Sequence, residues 1–187
     1  MTAAEEAAAR TPSAPAAKPP DASLRQRLRF RPATRGDADP LAAVINEAYL
    51  RETWLLPPPR ITLAQLNEVL EDARQRVTIA EINGAIAGCV RLSRHEGQLY
   101  FGLLAVAPLW QGRGLAALLI AEAERQAREI GDTELRLDCA KELGLPPFYE
   151  SLGYKVESET PDSYYDDGQS GRRKGPFTLA VMRKDMI

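Results

Sequence analysis

The chain has 187 residues, of which 44% are apolar, and this is enough for one domain with a substantial core. Its formal net charge is -2, from 24 basic and 26 acidic residues mixed along the chain. This balance gives no broad cationic surface for a phosphate backbone and argues against nucleic acid as a partner. No apolar run approaches the roughly 18 residues of a membrane span, and no basic start precedes a hydrophobic region. We therefore expect a soluble cytoplasmic protein with no membrane partner.

The first 22 residues differ in composition from the rest of the chain. Ala and Pro supply 13 of them, and the segment contains no aromatic residue. Such a segment buries too little apolar surface to offset the entropy lost on ordering. The composition predicts a disordered tail over residues 1–22 and one folded domain over residues 23–187.

The first half of the domain shows strand, helix, loop and helix signals in that order. Alternating apolar and basic residues predict a strand over Leu24 to Arg31. Asp39 and Pro40 resemble a cap and a first helical position, and apolar residues then recur at helical spacing up to Tyr49. Trp54 to Pro59 contains three consecutive prolines and predicts a stiff, partly apolar loop. Thr62 and Gln65 form the capping box of a second helix.

Three antiparallel strands are predicted next. Asn83 and Gly84 are the strongest two-residue hairpin signal, and they join two β-rich segments. A second turn at His95 to Gly97 leads into the apolar run Leu99 to Val106. His95 is more typical of a solvated turn residue than of a general base.

A parallel crossover and a final pair of strands are predicted for the rest of the chain. Apolar residues from Leu115 to Ile130 form one helical stripe, and an alternating strand follows from Leu135 to Cys139. Two prolines at 146 and 147 open a short helix. Tyr154 to Val156 predicts a strand, the polar segment Ser158 to Lys174 predicts a mobile loop, and Phe177 to Met182 predicts the last strand. Cys139 and Cys89 lie in apolar runs without metal-ligand spacing, so we interpret them as buried free thiols and expect no metal.

The junction between Val106 and Leu115 is the stretch with the clearest chemical content. A strand ends before Pro108, and Gly112 and Gly114 precede a long helix. The first turn of a helix has backbone N–H groups without intrahelical partners and a partial positive charge, so it can bind an anion. Glycines allow a phosphate to approach the backbone closely. The segment lacks the Lys-Ser/Thr pair of a P-loop, which argues against a nucleotide-phosphate site.

The order of elements and the sequence Gln111-Gly-Arg-Gly-Leu-Ala116 resemble the GNAT superfamily of acyl-CoA-dependent N-acyltransferases. Gln111, Gly114 and Ala116 match the family signature, and the surrounding elements follow the family order over residues 24–187. The resemblance implies an α/β GNAT fold with a mixed, mostly antiparallel central sheet and helices on both faces.

The resemblance also implies a coenzyme A site. The strand ending at Val106 would splay from the strand at Leu135, and the pantetheine arm would pair with the backbone of Leu104 and Val106. Backbone N–H groups of Leu104, Ala105 and Val106 would stabilise the oxyanion. The pyrophosphate would lie against the backbone of Gln111, Gly112, Arg113, Gly114, Leu115 and Ala116.

Tyr149 and Tyr100 are the catalytic candidates that the resemblance implies. Tyr149 lies in the segment that carries a tyrosine near the thioester sulfur. A phenol with a pKa of about 10 is protonated at neutral pH and can protonate a thiolate whose pKa is about 8.5. Tyr100 occupies the position of a frequent catalytic carboxylate, so deprotonation would use a water held by Tyr100, or the amine would enter neutral. Glu142 replaces a frequent asparagine, and its carboxylate would face solvent or repel the phosphates.

The predicted function is transfer of an acetyl group from acetyl-CoA to a primary amine by direct attack. Small-molecule amines, peptide N-termini and lysine side chains remain open as acceptors, and a homodimer is also open. Asp162, Asp166 and Asp167 would favour a cationic amine. The alternative is a non-catalytic acyl-CoA-binding regulatory module of the same fold.

Overall fold

The computed structural model describes residues 16–53, 55, 58–166 and 173–186. The strands of its sheet are β1 (Leu28–Pro32), β2 (Gln75–Ile82), β3 (Ala85–His95), β4 (Gln98–Val106), β5 (Glu134–Ala140), β6 (Lys155–Asp166) and β7 (Arg173–Asp185). The α-helices are α1 (Ala22–Arg27), α2 (Ala38–Ala48), α3 (Leu63–Glu71), α4 (Leu115–Glu129) and α5 (Pro146–Glu150). Short 3-10 turns follow at Arg35–Asp37, Tyr49–Glu52, Pro108–Trp110 and Lys141–Leu143.

The seven strands form one mixed sheet in the order β1-β2-β3-β4-β5-β7-β6. β4 and β5 run parallel, and the other neighbouring strands pair antiparallel. Helices cover both faces, since Leu119 and Tyr149 belong to one buried cluster and Leu41 and Leu66 to another. The predicted mixed, mostly antiparallel α/β architecture is confirmed.

The turns and the helix cap that the local sequence predicts are present in the structure. Asn83 and Gly84 have φ values of 53° and 80°, and Glu96 and Gly97 have 51° and 82°. Both pairs have the positive φ values that a two-residue hairpin turn requires. Thr62 and its partner three residues later make both hydrogen bonds of the capping box.

Three element predictions were wrong in part. Residues 24–27 of the predicted first strand are helical, because the Asp21 carboxylate caps the Ser23 N–H and Leu24 is buried in the core. α2 begins at Ala38 and not after Asp39, because a 3-10 turn runs directly into it. The predicted loop at 158–174 is extended at 158–166 and 173–174, where main-chain pairing between β6 and β7 supplies hydrogen bonds that side-chain polarity does not reveal.

Cys89 and Cys139 are buried free thiols, and burial raises the pKa of each to about 12. In the described part of the chain, no helix is long and apolar enough to cross a bilayer.

Candidate active site

The site is organised around a gap between β4 and β5. The two strands pair at Tyr100 and Arg136 and, within the described chain, at no other residue pair. Residues of β4 beyond Tyr100 therefore present backbone groups that have no partner on the β5 side. Leu103 lies in the bulge at this point, with φ of 45°, where the β3–β4 register shifts. An opening of this kind can receive an extended ligand through main-chain hydrogen bonds.

The bulge changes the face of the sheet on which the buried side chains of β4 pack. Phe101 packs in the core cluster beneath α4, whereas Leu103 and Ala105 pack in the cluster beneath α2 and α3. A gap at this point therefore connects the two faces of the sheet.

A glycine turn at the start of α4 lies beside this gap. Gly114 has φ of 81° and precedes the 15 residues of α4. The Gln111 side chain donates to the Val106 carbonyl at 2.9 Å and ties the turn to the end of β4. Gly112 has φ of 71°, and a Cβ there would meet no atom within 4 Å. At Gly112 the turn thus leaves open backbone beside a helix N-terminus, an arrangement that can receive an anion.

Residues 16–21 of the predicted tail lie against this turn. The Asp21 N–H donates to the Arg113 carbonyl at 3.4 Å, and the Ala17 N–H donates to the Ser151 hydroxyl at 2.9 Å. The Pro20 Cα is so near that a Cβ on Gly114 would lie 2.7 Å from it. Residues 1–15 lie outside the described residues.

A cleft of about 960 Å³ joins the turn to the gap, and this is a typical size for a small-molecule site. It reaches both the cluster beneath α4 and the one beneath α2. Eight predicted site residues line it, namely Leu104, Val106, Gln111, Gly112, Gly114, Leu115, Ala116 and Tyr149.

Three predicted site residues do not line the cleft. Ala105 is buried in the core, and the Arg113 guanidinium lies 5.3 Å from the Trp110 ring centroid. The Tyr100 hydroxyl donates to the Gln98 side chain at 3.2 Å, at the paired start of the parallel strands. The structure therefore does not bring Tyr100 together with Tyr149.

Tyr149 enters the cleft from α5. Its ring packs against Phe101 and Phe148, with centroids 6.0 and 5.2 Å away, and these contacts fix its orientation. Burial, followed by nearby acidic groups including Cys139 and Tyr49, raises the pKa of Tyr149 well above its ordinary value. The phenol thus keeps its proton at neutral pH and can act as a donor.

Glu52 is a site residue that the sequence analysis missed. It ends the 3-10 turn after α2, lines the cleft and makes no side-chain hydrogen bond to another described residue. Burial raises the pKa of Glu52 to about 7, and the charge of Arg60 opposes this shift. A carboxyl group with such a pKa is suited to general base catalysis at neutral pH. The sequence signal was only its position before the proline-rich loop.

Glu142 neither faces open solvent nor points toward the turn. Its two carboxylate oxygens accept from the Thr178 backbone N–H at 2.9 and 3.1 Å. The carboxylate therefore joins the turn after β5 to the backbone of β7.

Some predicted acceptor-side residues cannot be placed. Trp54 and Asp167 lie outside the described residues, and the side chains of Asp162 and Asp166 are likewise not described. Among the described residues, no group of three or more His, Cys, Asp or Glu side chains could hold a metal ion.

Comparison with known protein families shows which family the chain belongs to. Residues 48–168 match the model of the acetyltransferase (GNAT) domain. This match covers more than half of the chain, which therefore belongs to the GNAT acetyltransferase family, a family of acyl-transfer enzymes. No curated protein sequence matched the chain.

Solved structures share the fold at low sequence identity. An N-acetyltransferase from Staphylococcus aureus Mu50 is 16% identical, covering 86% of this chain and 99% of that chain, with a TM-score of 0.68. The protein yncA from Salmonella typhimurium, solved with its cofactor acetyl-CoA, is 20% identical. The match covers 86% of this chain and 95% of yncA, with a TM-score of 0.67. The ribosomal-protein-S18-alanine N-acetyltransferase from Escherichia coli is 15% identical. The match covers 85% of this chain and 94% of that enzyme, with a TM-score of 0.68.

Proposed function

We propose that the protein transfers the acetyl group of acetyl-CoA to a primary amine by direct attack. One observation carries the proposal: a single cleft connects the glycine turn of α4 with Tyr149 and Glu52. A phosphate-binding turn, a proton donor and a proton acceptor in one cleft are the parts that such a transfer requires.

The residues at the turn fit coenzyme A. Backbone from Gln111 to Ala116 would hold the pyrophosphate, and the backbone of Leu104 and Val106, which has no partner on β5, would hold the pantetheine arm. Acetyl-CoA in yncA, a protein of the same fold, supports this choice of co-substrate. When bound, acetyl-CoA supplies an electrophilic thioester carbonyl and a thiolate leaving group.

Glu52 would remove the proton from the acceptor amine. With a pKa of about 7, its ionised and protonated forms are both populated at neutral pH, and the ionised form is basic enough to accept a proton. Because Tyr100 lies away from the cleft, Glu52 replaces it as our proposed base.

Tyr149 would donate a proton to the departing thiolate. Its hydroxyl makes no hydrogen bond to another described residue, so it is available to a ligand. Backbone N–H groups at Leu104 to Val106 would bind the developing oxyanion in the gap between the strands.

The test is a thiol-release assay with a panel of amines, together with calorimetric titration of acetyl-CoA, coenzyme A and ATP. We expect amine-dependent release of coenzyme A and binding of the two coenzyme A species. Binding without turnover for any amine would indicate the regulatory module, and binding of ATP alone would reject the acyl-CoA site.

A further inference from the structure

Two arginines face the same cleft on the α2 side of the sheet. Arg91, on β3, extends along Gly102, so that its Nη2 would lie 3.4 Å from a Cβ at that glycine. Arg60 holds its guanidinium 5.1 Å from the centroid of the Tyr49 ring. Both side chains line the cleft. The Arg91 guanidinium therefore lies beside the backbone of β4 at Gly102.

Within the described part of the chain, Arg91 has no hydrogen-bond or ion-pair partner that would account for its position. Its Nε is buried without a hydrogen-bond partner, and the guanidinium makes no ion pair with another described residue. A buried donor left unpaired costs free energy that a ligand can recover. Among the residues that the structure describes, the Arg91 Nε therefore lacks an acceptor.

The charges around Arg91 add to this demand. Burial lowers the pKa of Arg91, the positive charge of Arg60 lowers it further, and Asp138 partly opposes both effects. Asp138 is itself exposed, so solvent weakens its charge. Glu52 is only partly ionised at neutral pH, because burial raises its pKa to about 7. An added anion would relieve the repulsion between the two guanidinium groups.

The position of the pair argues against the coenzyme as the source of that anion. Tyr49, which contacts Arg60, packs in the cluster beneath α2 and α3. The glycine turn opens α4, whose Leu115 and Leu119 pack on the opposite face. An anion at the arginine pair would therefore belong to the acceptor.

We propose that the acceptor is an amine that also carries a carboxylate, as a free amino acid does. Arg91, assisted by Arg60, binds the carboxylate, and Glu52 on the same side of the sheet receives the proton of the amine. A guanidinium matches a carboxylate through two parallel N–H donors, and this geometry favours a carboxylate over a neutral amide. This inference rests on the proposed acetyl transfer.

The kinetic test compares free L-amino acids with their primary amides as acceptors, using acetyl-CoA as donor. We expect the best amino acid to exceed its amide at least tenfold in kcat/KM. In Arg91→Gln, this ratio should fall at least tenfold, and in Arg91→Lys it should fall less because the charge is retained. Equal use of acids and amides by the wild type would overturn the proposal, as would an unchanged ratio in Arg91→Gln.

Calorimetry gives a second test that does not depend on turnover. The same amino acids and amides are titrated into the protein in the presence of coenzyme A. Binding of the acid but not the amide, lost in Arg91→Gln, supports the carboxylate site even if no acceptor is acetylated and the proposed transfer fails. Equal binding of the amino acid and its amide by the wild type would overturn the carboxylate site. Equal binding of the amino acid by the wild type and by Arg91→Gln would also overturn it.

Arg29→Gln is the matched control. Arg29 is an exposed strand arginine on β1, outside the cleft, and the same substitution removes the same charge. We expect its acid-to-amide ratio to equal that of the wild type. A thermal melt and coenzyme A binding by Arg91→Gln confirm that this variant is folded.

Discussion

Gly114 and Pro20 are in direct backbone contact at the N-terminus of α4. A Cβ added to Gly114 would lie 2.7 Å from the Pro20 Cα and 2.9 Å from its nitrogen. Real Cβ atoms do not come so close to backbone, so glycine is required here for packing as well as for its φ of 81°. Lys18 and Pro20 therefore pack against the turn that we propose for the pyrophosphate.

Gly114→Ala is expected to weaken both the fold and coenzyme A binding. The positive φ alone costs an L-residue roughly 1–2 kcal/mol, and displacement of the segment at Pro20 adds to it. Thermal unfolding and calorimetric titration with coenzyme A measure the two effects.

Gly112→Ala separates strain from steric contact in the same turn. Gly112 has φ of 71°, but a Cβ there would meet nothing within 4 Å. We expect Gly112→Ala to lose roughly 1–2 kcal/mol, the cost of the positive φ alone. This loss should be smaller than the loss in Gly114→Ala. When residues 1–20 are removed, the loss of stability in Gly114→Ala should fall close to that in Gly112→Ala. An unchanged difference between the two losses would contradict the contact between Gly114 and Pro20.

Glu52 should control the pH dependence of the reaction. Its pKa of about 7 implies that kcat/KM, expressed per neutral amine, rises with pH below 7 and levels off above it. Glu52→Gln should remove this inflection and lower kcat/KM by about 10²-fold to 10⁴-fold, the usual contribution of a general base. Initial rates from about two pH units below to about two pH units above that pKa of about 7 measure both effects.

The same group makes a prediction about stability. Because the pKa of Glu52 is higher in the folded protein than the usual 4.5, its contribution favours folding below pH 4.5 and is lost as pH rises to about 7. Glu52→Gln should therefore gain stability relative to the wild type at pH 8 but not at pH 4. Denaturant titrations at these two values test the sign, and a gain at pH 4 alone would contradict the assignment.

Tyr149→Phe should lower kcat by about 10²-fold while coenzyme A still binds, because a thiolate is a good leaving group and needs limited assistance from an acid. Single-turnover measurements of thiol release check this. Tyr154→Phe is the control, since the Tyr154 hydroxyl donates to the buried Glu124 at 3.1 Å and lies outside the cleft. It should reduce stability but not kcat, and equal losses of kcat in both variants would indicate a packing effect.

Glu142→Ala should affect folding and not coenzyme binding. Its carboxylate accepts from the Thr178 N–H, and a hydrogen bond to a charged group contributes about 1.5–3 kcal/mol. We expect a loss of this order in the free energy of unfolding, measured in urea, with an unchanged dissociation constant for coenzyme A. A weaker coenzyme A complex at equal stability would place the carboxylate at the phosphates instead.

Signals that act within a few residues were read correctly from the sequence. The hairpin at Asn83 and Gly84, the capping box at Thr62 and the turn at Gly114 each depend on local backbone geometry that only certain residues adopt. Local patterns misled where a neighbouring contact decided the outcome. The helix after Asp21 forms on a side-chain cap, and the long β6–β7 pair depends on the opposite strand.

By itself the sequence predicted the family, most of the order of the elements and the glycine turn before α4, because short-range sterics and a compact motif specify them. Only the tertiary structure decided that Glu52 and Arg91 share a cleft with Tyr149 while Tyr100 does not. Glu52 and Tyr149 are far apart in the chain, and a carboxyl pKa near 7 arises from burial that no local pattern encodes.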